Sequence, residues 1–92
     1  MKRELKATDE FMMKVIELRR SGMKDFICET FYKKLVNYNY VDTTLKPVIV
    51  HTAHGISSYA NQMYAKYGDS CKVRVGYFDS DLNYKELCTY SA

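Results

Sequence analysis

The sequence contains no tryptophan, only one proline and only four glycines among its 92 residues. The shortage of proline and glycine leaves no material for a long flexible linker, so we expect a single compact domain spanning residues 1–92. No apolar run approaches the ~18–20 residues that a membrane-spanning helix needs. The charged start, MKRELKATDE, lacks the apolar segment of a secretory signal. These absences predict a cytoplasmic protein that does not span a membrane.

Cysteine and histidine are also scarce. Three cysteines, Cys28, Cys71 and Cys88, are an odd number with wide spacing, which does not describe a disulfide framework. There is no C-x-x-C pair of the kind that zinc knuckles and ribbons use. We therefore expect three reduced thiols in a reducing compartment, no metal site and no other cofactor.

The net charge is +3, and its distribution is uneven. Residues 1–46 hold ten Lys or Arg against seven Asp or Glu, whereas residues 47–92 hold four of each. This surplus is smaller than the dense basic stripe of a dedicated nucleic-acid-binding protein. The charge pattern therefore favours other classes of partner without excluding nucleic acid.

The apolar periodicity of the first 36 residues predicts two helices. Thr8 is a candidate N-cap for a helix over residues 8–20, which ends near Arg19 and Arg20. The apolar residues of a second helix, over 23–36, recur every four positions: Ile27, Phe31 and Leu35. Together these elements predict a helical hairpin over residues 8–36.

Residues 37–92 alternate between a period of two and one helical stretch. The pattern predicts the order β-β-α-β-β, with strands at 38–42, 47–51, 71–78 and 84–92 and a helix at 53–67. A parallel β-α-β crossover from the second of these strands to the third would give a small four-stranded mixed sheet. The predicted fold is therefore α+β, a helical hairpin followed by this sheet and its helix.

Both histidines lie where the predicted strand 47–51 becomes a helix, in the segment His51-Thr52-Ala53-His54-Gly55. Thr52 is a suitable N-cap, and a helix N-terminus offers free N–H groups and the positive end of the helix dipole. His51, Thr52, His54 and Gly55 are therefore a candidate site for a phosphate or a carboxylate. The alternative is that Thr52 only caps the helix and His54 is solvated.

Tyrosine is the most unusual feature, with nine residues in a chain this short. A core of this size cannot bury nine phenols and satisfy every hydroxyl, so several rings should reach the surface. Tyrosine is enriched at protein interfaces and also stacks on nucleic-acid bases. The candidate binding residues combine exposed tyrosines with basic neighbours: Tyr38, Tyr40, Tyr59, Tyr64, Tyr84, Lys33, Lys34, Lys72 and Arg74.

The first functional hypothesis is a non-enzymatic binding protein. Signatures of phosphate-binding loops, dinucleotide sites, nucleophile elbows and zinc proteases do not occur in the sequence. In size and lack of catalytic motifs the chain resembles the small inhibitors that phages and mobile elements direct against host defence, anti-CRISPR proteins among them. That resemblance is one of type, and it implies a host protein or protein complex as the partner.

Two other functions stay open. The segment ELRRSGMKDFI is similar to the start of a helix-turn-helix, so a winged-helix-like DNA-binding protein with residues 71–90 as the wing is one alternative, and a single-strand binder is another. A small enzyme using His51, His54 and a cysteine is the third hypothesis. A homodimer is also expected, because the second predicted helix is apolar on several sides and one edge strand is unprotected.

Overall fold

The chain folds into two helices and one five-stranded antiparallel sheet, which confirms the predicted α+β class. The structure is a computed structural model, and it describes residues 9–91. The elements in chain order are α1 (Asp9–Arg20), β1 (Phe26–Val36), β2 (Asn39–Thr44), β3 (Val48–Val50), α2 (Ala53–Tyr67), β4 (Lys72–Phe78) and β5 (Tyr84–Ser91).

The prediction of a helix over residues 23–36 was wrong, because this segment is the strand β1. A spacing of four between apolar residues fits both a helix, with 3.6 residues per turn, and a strand, with a period of two. The segment also contains β-branched and aromatic residues, which are enriched in strands because they pack well on a pleated surface. There is consequently no helical hairpin and no helix-turn-helix in the described residues, and the proposed cap Thr8 lies outside them.

β1 is the central strand of the sheet. It pairs antiparallel with β4 on one edge, and with both β2 and β3 on the other. β2 and β3 therefore lie end to end along the same edge of β1, and the sheet order is β2-β1-β4-β5. The segment that joins β2 to β3, residues 45–47, lies opposite only two residues of β1, Glu29 and Thr30. The joining segment therefore contains one residue more than β1 does, as in a β-bulge, and this residue lies beside Pro47.

The predicted mixed sheet was also wrong in its pairing. β3 and β4 do run in the same direction, but β1 lies between them, so the β3-α2-β4 crossover creates no parallel pair. The hairpin β4–β5 was predicted correctly, including its five-residue loop over 79–83. Asp79 organises that loop by accepting hydrogen bonds from the backbone N–H groups of Asp81 and Asn83, each at 2.9 Å.

Both helices pack on one face of the sheet and build the core there. The helix α2 covers exactly the predicted range, begins at the N-cap Thr52 and ends before Gly68. The buried residues are contributed by every layer: Phe11, Val15, Phe26, Cys28, Ile56, Ala60, Cys71, Val73, Val75 and Tyr90. Neither helix within residues 9–91 is long and apolar enough to cross a membrane.

Candidate functional site

The side of the sheet away from the helices is uncovered by any other described element. Residues paired across neighbouring strands share a face, so the strand registers identify its members. We call this side the open face, and the residues that define it here are Ile27, Glu29, Phe31, Lys33, Leu35, Tyr40, Asp42, Ile49, Lys72, Arg74, Gly76, Phe78, Tyr84 and Glu86.

Arg74 stands at the centre of the open face. Its Nε and Nη2 donate to the same carboxylate oxygen of Glu29, at 3.2 and 2.9 Å. The guanidinium carbon lies 5.1 Å from the ring centroid of Phe31 and 5.9 Å from that of Tyr84, both within cation–π range. The hydrogen bonds that Arg74 donates to Glu29 raise the pKa of Arg74, so this side chain stays charged and oriented.

A second contact extends this centre toward the β4–β5 loop. The rings of Phe78 and Tyr84 meet edge to face, with centroids 5.7 Å apart. Tyr84 also covers the backbone of Gly76, and its partial burial raises the pKa of its hydroxyl. Two aromatic rings, Phe31 and Tyr84, therefore contact the guanidinium of Arg74, and Phe78 extends this aromatic row beyond Tyr84.

Apolar side chains of the open face are exposed to solvent. Ile49 is 57 % exposed, Phe78 is 47 % and Tyr84 is 37 %. Ile27, half-buried, lies in the row between Ile49 and Gly76 and joins these residues into one patch. Isolated exposed apolar residues are ordinary, but a contiguous patch rimmed by polar groups is typical of an interaction surface.

The charges of the open face balance one another. The basic residues are Lys33, Lys72 and Arg74, and the acidic residues are Glu29, Asp42 and Glu86. Two pairs of opposite charges are direct cross-strand neighbours, Lys33 beside Asp42 and Arg74 beside Glu29. The patch therefore carries mixed charge and no net positive field, although the whole chain is basic.

Beyond the helices, the ends of β1 and β2 continue as a two-stranded arm, which we define as residues 33–42. β4 pairs with β1 only as far as Phe31, so the arm consists of two strands alone. Every residue of the arm is exposed. Its turn residues, Asn37 and Tyr38, both have positive φ (49° and 67°), as in the two-residue turns of tight hairpins.

The structure brings five of the nine predicted binding residues onto one surface. Tyr40, Tyr84, Lys33, Lys72 and Arg74 all lie on the open face. Of the remaining residues, Tyr38 is at the tip of the arm with 98 % of its side chain exposed, and Lys34 points to the opposite side of the arm.

The other two predicted tyrosines serve the interior of the protein. The Tyr59 hydroxyl is 3.1 Å from Oγ1 of the fully buried Thr30, and it satisfies that group between α2 and β1. The Tyr64 hydroxyl donates to Asp69 at 2.6 Å. Both rings are half-buried in the helical layer, away from the open face.

The members of the site that the sequence prediction missed include Glu29, Phe31, Ile49 and Phe78. Two of them, Glu29 and Phe31, belong to residues 23–36, for which the sequence pattern predicts a helix. Reading 27–35 with a period of two, as in a strand, would have placed them on one face with Lys33. Phe78 lies in a strand that the sequence predicts correctly. Its contact with Tyr84 follows only from the register of the β4–β5 hairpin.

At the predicted anion site, one of the backbone N–H groups at the start of α2 binds a side chain of the same helix start. Oγ1 of Thr52 accepts from the N–H of Gly55 at 2.9 Å, which confirms the N-cap. Nδ1 of His51 lies 2.7 Å from the carbonyl oxygen of Lys24, within hydrogen-bond distance. A β-carbon at Gly55 would press on Thr52 and on the Val50 side chain, so internal packing accounts for this glycine.

The three thiols are free and are placed as structural residues. Burial, together with the neighbouring Cys88, raises the pKa of Cys28 to about 12. Burial and Glu86 raise the pKa of Cys88 to about 11, and burial raises that of Cys71 as well. A thiolate nucleophile needs a lowered pKa, which none of these sites provides. Among the described residues no cluster of His, Cys, Asp and Glu is arranged to hold a metal ion.

Comparison of the chain with protein-family models, with curated proteins and with solved structures finds no match.

Proposed function

We propose that this protein is a non-enzymatic binding protein that docks on another protein through its open face. The observation that carries the proposal is the exposed aromatic and apolar patch around Arg74, whose charges balance. Aromatic residues and arginine are the side chains most enriched at protein interfaces and among their energetic hot spots. The partner surface that fits is flat, apolar at its centre and mixed in charge at its rim.

Arg74 is the expected hot spot of this surface. Glu29 and two aromatic rings hold its guanidinium in one orientation, so little side-chain entropy is lost on binding. The side chain is still 39 % exposed and can offer further N–H groups to a carboxylate or carbonyl of the partner. Arg74→Ala should therefore weaken binding more than Lys33→Ala or Lys72→Ala, whose side chains are exposed on the same face.

The first test is affinity capture from a bacterial lysate with the tagged full chain, with and without nuclease. Beside the wild type, the double variant Ile49→Gln/Phe78→Gln removes exposed apolar groups from the open face only. The matched control, Met13→Gln/Ile16→Gln, removes similarly exposed groups from α1, where Met13 is 58 % and Ile16 is 41 % exposed. The expected result is a discrete protein that is captured after nuclease treatment by the control and the wild type, and is lost with the open-face variant.

Equal capture by both double variants, each folded by circular dichroism, would exclude the open face as the docking surface. The narrower form of the proposal, an inhibitor of phage or mobile-element origin in a host cytoplasm, needs a captured host enzyme or defence complex whose activity falls when the protein is added. If the captured protein loses no activity, the chain is a binding partner of another kind. No reaction is assigned to the protein, and its lack of enzymatic activity stays a prediction.

Nucleic acid is the second candidate partner, favoured by one observation. Phe31, Phe78 and Tyr84 are aromatic rings on an open sheet face beside a cation, an arrangement on which single-stranded bases stack. The balanced charge of the face argues against it, because nucleic-acid affinity rests largely on contacts with phosphates. Titration with a labelled oligonucleotide separates the two functions. Each phosphate contact contributes about −0.7 or a more negative value to the slope of log K against log[salt]. A slope of that size or steeper would favour nucleic acid.

A further inference from the structure

We propose that the arm is a dimerisation element, in which β2 of one chain pairs antiparallel with β2 of a second copy about a twofold axis at Val41. The contact uses the edge of the sheet. It does not rest on the open face binding a partner, and no residue is substituted in the tests of both proposals.

The outer edge of β2 offers unpaired backbone groups. Within residues 9–91, β2 has a neighbouring strand on one side only. The residues that flank the two-residue turn, Val36 and Asn39, form a hydrogen-bonded pair, and such pairs alternate along the hairpin. The N–H and C=O groups of Tyr40, Asp42 and Thr44 therefore point outward, where a further strand can pair with them.

β2 also lacks the features that usually protect a sheet edge. Proline, bulges and charged side chains are the common means of preventing edge-to-edge pairing. On the same edge, β3 is preceded by Pro47 and the extra residue beside it. The opposite edge strand, β5, carries the charged residues Lys85 and Glu86 and a shift in register. β2 has one charged residue, Asp42, and Lys33 of β1 lies directly opposite it.

The arm has little to stabilise it within one chain. A two-stranded hairpin is marginal in water unless a further strand or a helix covers it. Its apolar and aromatic side chains are exposed on both faces: Leu35 by 58 %, Val36 by 41 %, Tyr38 by 98 %, Tyr40 by 72 % and Val41 by 48 %. A second arm alongside would supply both the missing strand and apolar neighbours.

The sequence of β2 suits pairing with itself. A twofold antiparallel pair must match outward groups with outward groups, and this excludes every register that is shifted by one residue. Centring the axis on Asp42 would place two carboxylates opposite each other, which is unfavourable. Centring it on Val41 pairs Val41 with Val41, Tyr40 with Asp42 and Asn39 with Thr43. That register matches apolar with apolar and puts no like charges in contact.

The decisive variant is Val41→Cys, tested in the full chain by mild oxidation and a non-reducing gel. Opposite residues at the axis form a non-hydrogen-bonded pair, whose α-carbons lie about 4.5 Å apart, within reach of a disulfide. The matched control is Asn39→Cys, on the same face of the same strand and also exposed. In the proposed register, residue 39 lies opposite residue 43 of the second copy. The two copies of residue 39 are therefore offset by four residues along the strands, about 13 Å.

The expected result is a covalent dimer for Val41→Cys and none for Asn39→Cys or for the wild type, whose cysteines are buried or half-buried. Equal cross-linking of both variants would overturn the proposal, because it would show random collision or another register. Sedimentation of the wild-type chain tests the dimer without a cross-link. A chain that stays monomeric up to about 1 mM would also overturn it.

A third measurement tests the outward backbone groups. Asp42→Pro removes an N–H that points away from β1, so the hairpin itself keeps its hydrogen bonds. Loss of that donor in both copies should weaken the dimer about tenfold or more in Kd while the circular dichroism spectrum is retained. An unchanged Kd would show that β2 is not the dimer contact. Capture through the open face is measured separately, so either proposal can fail while the other stands.

Discussion

The ring of Tyr84 in β5 lies over the backbone of Gly76 in β4, in the space that a β-carbon at position 76 would occupy. This contact places the ring against the sheet, between Phe78 and Arg74. Gly76 is buried although it is on the open face. The glycine thus determines how the aromatic centre of the candidate binding surface is arranged.

Gly76→Ala should destabilise the protein by about 1–2 kcal/mol, because the new methyl group displaces the Tyr84 ring. The same substitution in a Tyr84→Ala background should have the opposite sign. With the ring gone, alanine is favoured over glycine in a strand by about 0.5–1 kcal/mol. Urea unfolding of the four proteins measures this coupling. Equal effects of Gly76→Ala in both backgrounds would contradict the role given to Tyr84.

The buried hydroxyl of Thr30 depends on Tyr59. Tyr59→Phe leaves that hydroxyl without this partner in the core and should lower the free energy of unfolding by about 1–2 kcal/mol. In Tyr59→Phe/Thr30→Val both polar groups are removed, so the double variant should be more stable than the sum of the two single losses predicts. Chemical denaturation of the set gives the coupling energy. A coupling near zero would mean that the two hydroxyls do not interact in solution.

Stability should fall at high pH because the buried thiols resist ionisation. The folded pKa of Cys28 is raised to about 12 from 9.0, so its contribution is complete below pH 9 and is lost as the pH rises toward 12. The slope from this one thiol is at most about 1.4 kcal/mol per pH unit. Cys28→Ala should flatten the decline measured by urea unfolding between pH 9 and 11. If the slope is the same in both proteins, Cys28 does not cause it.

Tyr38 has a backbone conformation that suits glycine or asparagine better than a tyrosine. With φ at 67° and its side chain 98 % exposed, no contact within the described chain offsets the strain. Tyr38→Gly should therefore raise the free energy of unfolding by about 1 kcal/mol when measured on the monomer at low concentration. Asn37→Gly is the control, since asparagine already tolerates this region. A destabilised Tyr38→Gly protein would show that the ring does contact its own chain.

Local patterns in the sequence were sufficient wherever only one period fitted them. The helix over 53–67 has apolar spacings of three and four, a threonine cap and a terminal glycine, and each feature indicates the same element. The predicted strands at 71–78 and 84–92 alternate around a turn-forming loop, and the observed β4–β5 hairpin follows. Exposure of Tyr38, Tyr40 and Tyr84 was also predicted, because the core is too small for nine phenols.

Local patterns failed where two periods fitted equally well. In β1, Ile27, Phe31 and Leu35 are four residues apart, a spacing that a helix and a strand share. Only pairing with β2, β3 and β4 decides for the strand, because each of those partners satisfies the backbone of β1 over part of its length.

The sequence by itself determined the α+β class, the position of α2 and the surplus of surface tyrosine, since these depend on composition and on contacts between near neighbours. The tertiary structure alone decided which of those tyrosines share a surface. Tyr59 faces Thr30 and Tyr84 faces Arg74 because strand order and register, which arise from contacts distant in the chain, fix the face on which each residue lies.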